Sequence, residues 1–416
     1  MPLDNYTNGT LHIEAVCASE IAEKVGTPAY VYSNEHLTQQ YQALHASLKK
    51  VDHQICYAVK ANSNLAVLAL FADLGAGFDV VSGGELERVL RAGGDMSKVV
   101  FAGVGKRVDE IDFALKLNIH CFNIESESEL NRLSKQAELH NTTAPISIRI
   151  NPNIDAKTHP YISTGLSENK FGVPIDQAFR LYQQAAANKH LNVMGIDCHI
   201  GSQLTDTAPL IEAIDSLLEM IDKLAAQGII IHHLDMGGGL GVTYSGEASI
   251  DLTTFGEAIY SRFKNRKLKL IVEPGRFLVA NGGILLTTVE TLKPGETKNF
   301  AVVDAAMNDL IRPALYQAHH AIIPVKQSSD TAPVKTWDIV GPVCETADFL
   351  AKDRDLPLVE GDLLAILSCG AYAAVQASNY NTRNRAPEVL IKGDQIHVVR
   401  KRESISHQLL LESLAK

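Results

Sequence analysis

The chain has 416 residues, of which 46% are hydrophobic, and a formal net charge of -10. This length exceeds what one hydrophobic core usually organises, so we expect two domains. An acidic chain is unsuited to nucleic acid or anionic membranes, since both select for basic surfaces. We therefore predict neither as a partner and interpret the basic stretches 264–267 and 400–402 as solvated faces.

The ends and the cysteines indicate where the protein works. The first six residues, MPLDNY, are not a basic region followed by an apolar stretch, so they do not predict a secretory signal. No apolar run is long enough to span a bilayer. The six cysteines form no C-x-x-C pair, which favours reduced thiols and a cytoplasmic location. We predict no metal site.

Short β-prone runs alternate with longer amphipathic stretches between about residues 36 and 280, a pattern typical of βα units around a parallel sheet. Eight runs are predicted as strands: 55–59, 78–81, 99–102, 120–124, 146–150, 193–200, 229–236 and 268–272. The stretches 84–92, 126–139, 175–187 and 209–227 are predicted as helices. Eight units in roughly 245 residues predict a closed (β/α)₈ TIM-type barrel.

The texture changes after about residue 281 to short strands separated by turn residues, which predicts a mainly β C-terminal domain. Its predicted strands are 284–291, 299–303, 335–340, 362–367 and 388–391. Two further pieces near the N-terminus, 10–13 and 29–32, are expected to join this domain. The predicted domains are therefore the barrel, 36–280, and the β domain, 1–35 plus 281–416.

Barrel enzymes carry their chemistry at the C-terminal ends of the strands. Lys60 closes the first run, and a lysine at the end of a buried strand is suited to Schiff-base chemistry because burial disfavours its charge. By itself, however, a lysine at this place more often has its stem on apolar surface while its ammonium reaches water.

Three other run ends carry polar residues or glycines. His199 indicates either a core histidine or a ring that stacks on an aromatic cofactor. The glycine string 237–241 indicates either a tight turn or a phosphate-binding loop, to which Ser202 could add a hydroxyl. Glu273 must be paired if it is buried. A protonated pyridine nitrogen would pair it and would make the ring an electron sink, which favours decarboxylation.

Seven motifs in order along the chain resemble diaminopimelate decarboxylases, a family of fold-type III pyridoxal phosphate enzymes related to ornithine and arginine decarboxylases and to alanine racemase. The resemblance covers nearly the whole chain. It is carried by YAVKAN at 57–62, CHIGSQ at 198–203, GGGLG at 237–241, EPGR at 273–276, RPALY at 312–316, CET at 344–346 and GAY at 370–372.

The resemblance implies pyridoxal 5'-phosphate as the cofactor and assigns residues to it. Lys60 would bind it covalently, His199 would stack on its ring, and Glu273 would bind its nitrogen. The remaining cofactor-binding positions are Ser202, Gly238, Gly239, Gly275, Arg276 and Tyr372.

The resemblance also implies how the substrate is recognised. Arg276, Arg312 and Tyr316 would bind the carboxylate at the substrate end that does not react, Glu345 the ammonium there, and Tyr372 would contact the substrate as well. An arginine pair with one glutamate suits a zwitterion. From the residues alone, Arg312 and Tyr316 instead indicate a surface turn at Pro313.

Cys344 would be the second catalytic residue besides Lys60, returning a proton to the substrate Cα. In the family, the segment with Cys344 and Glu345 comes from the partner subunit, so a homodimer with shared active sites is implied. The polar loop 157–170 is either a lid or an ordinary connection.

The implied reaction is the decarboxylation of meso-2,6-diaminopimelate to L-lysine and carbon dioxide, the last step of lysine biosynthesis by the diaminopimelate route. Two alternatives stay open. One is a related decarboxylase that acts on ornithine, arginine or a carboxylated polyamine. The other is a non-catalytic relative that binds the cofactor or a partner protein.

Overall fold

The chain folds into two units, each with its own sheet system. The structure, a computed structural model, describes residues 3–154, 169–327 and 333–415. One unit comprises 1–37, 243–247 and 278–416, and the other 38–242 and 248–277. Among the described residues, no helix combines the length and the apolar character needed to cross a bilayer.

The chain begins with a small antiparallel sheet, in which each strand pairs with the next. Its elements and those that follow are β1 (Tyr6–Thr7), β2 (Thr10–Ile13), β3 (Val16–Cys17), α1 (Ala18–Val25), β4 (Ala29–Ser33) and α2 (Asn34–Leu48). Both N-terminal strands predicted from the sequence are therefore present.

The second unit is built around a parallel barrel. Its strands are β5 (His53–Ala58), β6 (Gly77–Val80), β7 (Val99–Phe101), β8 (Cys121–Ile124), β9 (Ala144–Asn151), β10 (Val173–Pro174), β11 (Leu191–Asp197), β12 (His233–Asp235) and β13 (Lys269–Val272). The helices between and after them are α3 (Leu65–Asp73), α4 (Gly83–Arg91), α5 (Val108–Lys116), α6 (Glu127–Leu139), α7 (Ile175–Ala186), α8 (Ala208–Ala225), α9 (Leu252–Phe263) and α10 (Arg276–Val279).

Eight of these strands close on themselves. Parallel pairing runs from β5 through β6, β7, β8, β9, β11 and β12 to β13, and β13 pairs back onto β5. The short β10 lies outside this ring and pairs with β9. The predicted (β/α)₈ barrel is thus confirmed. Because all eight strands are parallel, the residues that follow their C-terminal ends lie at one edge of the barrel.

Side-chain caps explain where several barrel helices begin. Ser82 and Ser126 each accept a hydrogen bond from a backbone N–H in the first turn of α4 and α6, and Asp251 does so for α9. Gly228 follows α8 with a φ of +82°, a conformation that side chains disfavour. The predicted strand 229–236 is shorter in the structure, where only 233–235 form a strand. Ile229 and Ile231 lie buried in the connection after α8.

The C-terminal part of the other unit is mainly β, as predicted. Its elements are β14 (Gly283–Lys293), β15 (Asn299–Val303), α11 (Arg312–Tyr316), β16 (Ile322–Pro324), β17 (Lys335–Val340), β18 (Phe349–Leu356), β19 (Leu363–Ile366), β20 (Glu388–Lys392), β21 (Gln395–Arg400) and α12 (Ile405–Gln408). The strand order is β18-β17-β15-β14-β4-β20-β21, and β19 pairs with both β14 and β16.

The N-terminal segment completes this sheet. Strand β4 lies between β14, to which it is antiparallel, and β20, to which it is parallel. Leu11 and Ile13 of β2 pack in one buried cluster with Ile284 and Leu286 of β14. The N-terminal segment thus both pairs and packs with strands of the C-terminal β region. Strand β18 was not predicted from the sequence, because its charged residues interrupt the apolar pattern.

A chain of buried polar contacts holds the loops around the barrel edge. Lys106, after β7, is 2% exposed, and its Nζ donates to the Asn123 carbonyl and to Glu129 Oε1, each at 2.6 Å. The other oxygen of Glu129 accepts the Glu125 N–H at 2.9 Å. Glu125 in turn forms an ion pair with Arg149 at 2.7 Å. Removing one member leaves a buried charge without its partner.

We expect Lys106→Met to destabilise the barrel unit by about 3–5 kcal/mol, because Glu129 would be left in a buried site without its cationic partner. The urea unfolding midpoint, followed by far-UV circular dichroism, measures this. The control is Lys98→Met, which removes a half-exposed lysine whose Nζ is 3.8 Å from Asp95 and should cost less than about 1 kcal/mol. Equal midpoints for the two variants would contradict the prediction.

Candidate active site

Lys60 lies directly after β5, in the short 3-10 turn Val59–Ala61. Its Nζ is 2.6 Å from Asp79 Oδ2, which lies on the neighbouring strand β6. The Lys60 side chain is 38% exposed, whereas that of Asp79 is fully buried. The Lys60 amine is therefore only partly buried, although the strand that precedes it is buried. A carboxylate holds this amine in an ion pair, and the ammonium must lose a proton before it can act as a nucleophile.

Asp79 was missed as a site residue by the sequence analysis. It falls within the apolar stretch GFDV of β6, where it was counted only as part of a strand. An acid inside a fully buried strand is costly unless it is paired. That cost was the signal available in the sequence, and Lys60 is the partner that the structure supplies.

Three further carboxyl groups are buried at the ends of neighbouring barrel strands: Asp197, Asp235 and Glu273. Burial raises the pKa of Asp235 to about 6. It also raises the pKa of Asp197 and of Glu273 well above their usual range, and the charge of Asp235 adds to both shifts. The barrel edge thus contains several buried carboxyl groups whose negative charges a nearby cation would stabilise.

Among these acids, Glu273 shows most clearly that a cationic hydrogen-bond donor would be stabilising. It is 6% exposed, and its Oε1 is buried with no hydrogen-bond partner among the described residues. Lys60 offsets the rise in its pKa only in part. A protonated ring nitrogen offers both a hydrogen-bond donor and a positive charge. The surroundings of Glu273 therefore fit the pyridinium of pyridoxal phosphate, as the sequence predicted.

Arg149 supplies a buried cation at this edge. It is 7% exposed, forms the ion pair with Glu125, and stacks its guanidinium 4.8 Å from the ring centre of Phe171. One of its Nη atoms lies 3.4 Å from the His199 carbonyl oxygen. The sequence does not single out Arg149 as a site residue, because the acid that pairs with it, Glu125, follows a different strand.

His199 follows β11 and is held by the glycine string. Its Nδ1 accepts a hydrogen bond from the Gly238 N–H at 3.2 Å. Burial and the positive charges of Arg149 and Lys60 hold its pKa well below the usual range. The ring is therefore neutral, with its proton on Nε2. A neutral, oriented imidazole is suited to stacking on an aromatic ring. That His199 stacks on the cofactor ring stays a prediction.

The glycines of the string 237–241 lie so close to neighbouring backbone that side chains would not fit. A Cβ on Gly238 would lie 2.4 Å from the Glu273 carbonyl oxygen, and one on Gly239 would lie 2.8 Å from the Gly201 carbonyl oxygen. Gly239 also has a φ of +106°. The turn therefore brings the loops after β11, β12 and β13 together. The tight-turn interpretation is correct for these glycines, and it does not conflict with a phosphate site.

Ser202 and Arg276 meet beside these loops. The Arg276 side chain is 7% exposed and donates to Ser202 Oγ, at 3.0 Å from Nη2 and 3.4 Å from Nε. A Cβ on Gly275 would lie 3.0 Å from the Ala61 Cβ, next to Lys60. A hydroxyl, a guanidinium and glycine-rich backbone within one set of loops are the groups that bind phosphate. These residues fit the phosphate of the predicted cofactor.

In the other unit, Arg312 opens the one-turn helix α11 and is 6% exposed. The interpretation of a surface turn at Pro313 is therefore wrong. The Arg312 Nη1 donates to the Tyr244 hydroxyl and to His320 Nε2, both at 3.0 Å. His320 Nδ1 lies 2.8 Å from the Leu367 carbonyl oxygen. The ring donates there, so its Nε2 is a neutral acceptor for Arg312.

Tyr316 and Tyr372 lie in the same unit as Arg312. Tyr316 is four residues after Arg312 on α11, so the two side chains share one face of the turn. Tyr372 has a φ of +54° and Ser368 a φ of +58°. Two left-handed non-glycine residues so close together store backbone strain, which occurs preferentially at functional sites.

Cys344 and Glu345 are exposed. The Cys344 N–H lies 3.4 Å from Asn381 Oδ1, and the Tyr380 hydroxyl donates to Glu345 Oε1. All six cysteines are free. The predicted lid, 157–170, lies outside the described residues except for its last two positions.

Comparison with known proteins agrees with this geometry. The family model described as the pyridoxal binding domain of pyridoxal-dependent decarboxylases matches residues 34–280. The diaminopimelate decarboxylase of Pseudomonas aeruginosa is 56% identical over 410 residues, which are 99% of this chain and 98% of that protein. The diaminopimelate decarboxylase of Vibrio cholerae is also 56% identical, with the same coverage.

A solved structure extends the likeness to three dimensions. Diaminopimelate decarboxylase from Helicobacter pylori, complexed with L-lysine, matches with a TM-score of 0.91 and 44% identity over 94% of this chain and 98% of that chain. The predicted cofactor, pyridoxal phosphate, is confirmed at the level of the family. On its sequence and on its fold, this chain belongs to the pyridoxal-dependent decarboxylases.

Proposed function

We propose that this protein decarboxylates meso-2,6-diaminopimelate to L-lysine and carbon dioxide, the last step of lysine biosynthesis by the diaminopimelate route. The names of its relatives and their similarity over nearly the whole chain support this reaction. Among decarboxylases of amino acids, the structural question is how a second carboxylate at the far end of the substrate would be recognised.

Arg312 is the observation that carries the proposal. Its guanidinium is buried, its two hydrogen-bonded partners are neutral, and no carboxylate lies within ion-pair distance of it among the described residues. A buried cation without an anion is costly. The distal carboxylate of diaminopimelate supplies that anion, whereas ornithine and lysine offer only an ammonium at the same end.

The residues at the barrel edge prepare the reacting end. When bound, pyridoxal phosphate supplies the electron sink that accepts the electron pair left at Cα when carbon dioxide departs. Glu273 keeps the ring nitrogen protonated, and neutral His199 orients the ring face. Ser202, Arg276 and the glycine loop hold the phosphate. Asp79 holds the Lys60 ammonium and accepts a proton from it when the amine is needed.

Cys344 and Glu345 complete the proposed scheme. Cys344 returns a proton from its Sγ to Cα after carbon dioxide leaves, and Glu345 binds the distal ammonium. Both residues are exposed in the single chain, although each needs a shielded site to act on a substrate. We therefore include a homodimer with shared active sites in the proposal, together with a cytoplasmic location.

The domain roles belong to the same proposal. The barrel, residues 36–280, binds the cofactor, and this agrees with the extent of the family match. The segments 1–35 and 281–416 supply substrate-binding and dimer-interface residues. Arg312 and Tyr316 are the substrate-binding residues with the best structural support.

Purified protein loaded with pyridoxal phosphate should convert meso-2,6-diaminopimelate to L-lysine with release of carbon dioxide. Chiral chromatography of the product and a coupled carbon dioxide assay measure this. Ornithine, arginine and carboxylated polyamines, tested in parallel, should react at least about 100-fold more slowly in kcat/KM. Equal or faster turnover of one of these would favour the related decarboxylase. Cofactor binding without any turnover would favour the non-catalytic relative.

Lys60→Ala should remove the visible absorbance of the covalently bound cofactor and lower kcat by about 10⁴-fold or more, since no other amine takes its place. Absorbance spectra after dialysis and single-turnover assays measure these effects. Lys98→Ala is the matched control, because it removes a lysine of similar exposure outside the site. An unchanged spectrum in Lys60→Ala would return this residue to a purely structural role.

Arg312→Ala should lower kcat/KM for meso-diaminopimelate by about 30–1000-fold, because the distal carboxylate loses a buried cation. Residual activity on ornithine should change less than about threefold, since ornithine has no group for that cation. Steady-state kinetics with both substrates measures the difference.

Arg400→Ala is the control for this variant, because it removes an arginine of the same unit that lies 3.7 Å from Glu388 on a neighbouring strand. It should leave both kcat/KM values within about twofold of the wild type. An equal loss on both substrates in Arg312→Ala would show that Arg312 supports the fold rather than recognising the carboxylate.

A further inference from the structure

A cavity of about 830 Å³ opens where the barrel strands begin, at the end opposite to Lys60 and Glu273. Asp52, His120 and Leu268 line it, and each directly precedes a barrel strand. Since the strands are parallel, their first residues and their last residues lie at opposite edges of the barrel. None of the residues assigned to the decarboxylase reaction lines this cavity.

The lining is strongly basic although the chain as a whole is acidic. Only one acid, Asp52, lines the cavity. The stretch 264–267, which the sequence analysis interpreted as a solvated face, supplies much of the positive charge. The basic lining residues are Lys50, Lys264, Arg266, Lys267 and Lys269.

Two of these cations are neutralised by acids outside the cavity lining. Lys50 lies 2.5 Å from Glu257, and Arg266 forms two hydrogen bonds of 2.7 Å to Asp222. Both of these acids are therefore already occupied by a partner, and neither of them can balance the remaining charge of the cavity.

The other three cations are incompletely balanced. Lys269 Nζ is 3.7 Å from Asp52, a loose and exposed pair. For Lys264 and Lys267, the described part of the chain contains no carboxylate within ion-pair distance. The cavity therefore keeps a surplus of positive charge, to which an anion would be attracted.

Two neighbouring histidines also line the cavity, His233 buried and His120 half-buried. His233 is 2% exposed, and its ring centre lies 5.2 Å from that of His120. The Nε2 atoms of both rings are buried with no hydrogen-bond partner among the described residues. Burial and nearby positive charges, including Lys269, lower the pKa of His233 to about 3. An anion in the cavity would oppose that effect.

Helix ends explain only part of this charge. Lys264 caps the C-terminus of α9, where a cation interacts favourably with the helix dipole. That effect fades within one turn, so it does not account for Lys267 and Lys269. It also gives no partner to the two histidine nitrogens.

We propose that this cavity binds a small phosphate-bearing anion, held by Lys264, Lys267 and Lys269. Phosphate offers several acceptor oxygens that share its negative charge, which suits three amines. Tyr260 and Phe263 form an aromatic part of the wall. A nucleotide would use that wall through its base, whereas pyrophosphate would use the cations alone.

The test is isothermal titration calorimetry of the holoenzyme with pyrophosphate and, in parallel, with ADP, at about 50 mM salt. The cofactor occupies the phosphate site at the other end of the barrel, so it does not compete for the probe. We expect one site per chain with a dissociation constant below about 1 mM. Tighter binding of ADP than of pyrophosphate would identify a nucleotide, and equal binding would identify the phosphate group alone.

The decisive variant is Lys264→Ala/Lys267→Ala, which should weaken binding at least about tenfold. The matched control, Lys116→Ala/Lys135→Ala, removes two exposed lysines from α5 and α6 and should bind within about twofold of the wild type. Both variants should retain decarboxylase activity, which shows that they fold. Binding to neither probe, or equal weakening in both variants, would overturn the proposal.

A second readout localises the ligand. With ring-labelled histidine, the nuclear magnetic resonance signals of His120 and His233 should shift on addition of pyrophosphate, because these rings line the cavity. Assignment uses His120→Gln and His233→Gln separately, each checked by thermal melting. Histidine signals that stay unmoved at saturating pyrophosphate would also overturn the proposal.

Discussion

The balance of charge inside the barrel is the constraint on which the candidate site depends. Asp79, Asp197, Asp235 and Glu273 are all buried within one ring of strands. Closing that ring brings their strand ends together, and burial makes each negative charge costly. The positive charges of Lys60 and Arg149 offset part of this free-energy cost. A cofactor with a protonated ring nitrogen would offset more of this free-energy cost. The buried acids therefore favour binding of a positively charged ligand group.

The mainly β region presents the opposite problem. Arg312 is buried with only neutral partners among the described residues, and the carbonyl-bound His320 keeps its accepting nitrogen turned toward the guanidinium. A buried cation selects for an anion as strongly as a buried acid selects for a cation. Substrate choice in this proposal thus rests on one buried cation that has no carboxylate partner among the described residues, and catalytic chemistry rests on a separate group of acids.

The two edges of the barrel carry opposite charges for the same geometric reason. Parallel strands place the acids and the glycine loops after their ends, and the cations of 264–269 before their beginnings. A run of basic residues with an ordinary surface interpretation in the sequence acquires a cavity and two histidine neighbours only when the barrel closes. The proposed phosphate site would be invisible to any comparison of strand ends alone.

The sequence by itself determined the barrel, the order of its strands and the positions of Lys60, His199 and Glu273, because hydrophobic periodicity and motif spacing are local properties of the chain. It could not reveal that Asp79 pairs with Lys60, that Arg312 is buried, or that Lys267 faces a cavity with His233. Lys60 and Asp79 are 19 positions apart, His233 and Lys267 are 34 positions apart, and the burial of Arg312 depends on the packing around it. Only tertiary structure decides these three facts, since pairing across strands and exclusion of water exist only after the ring has closed.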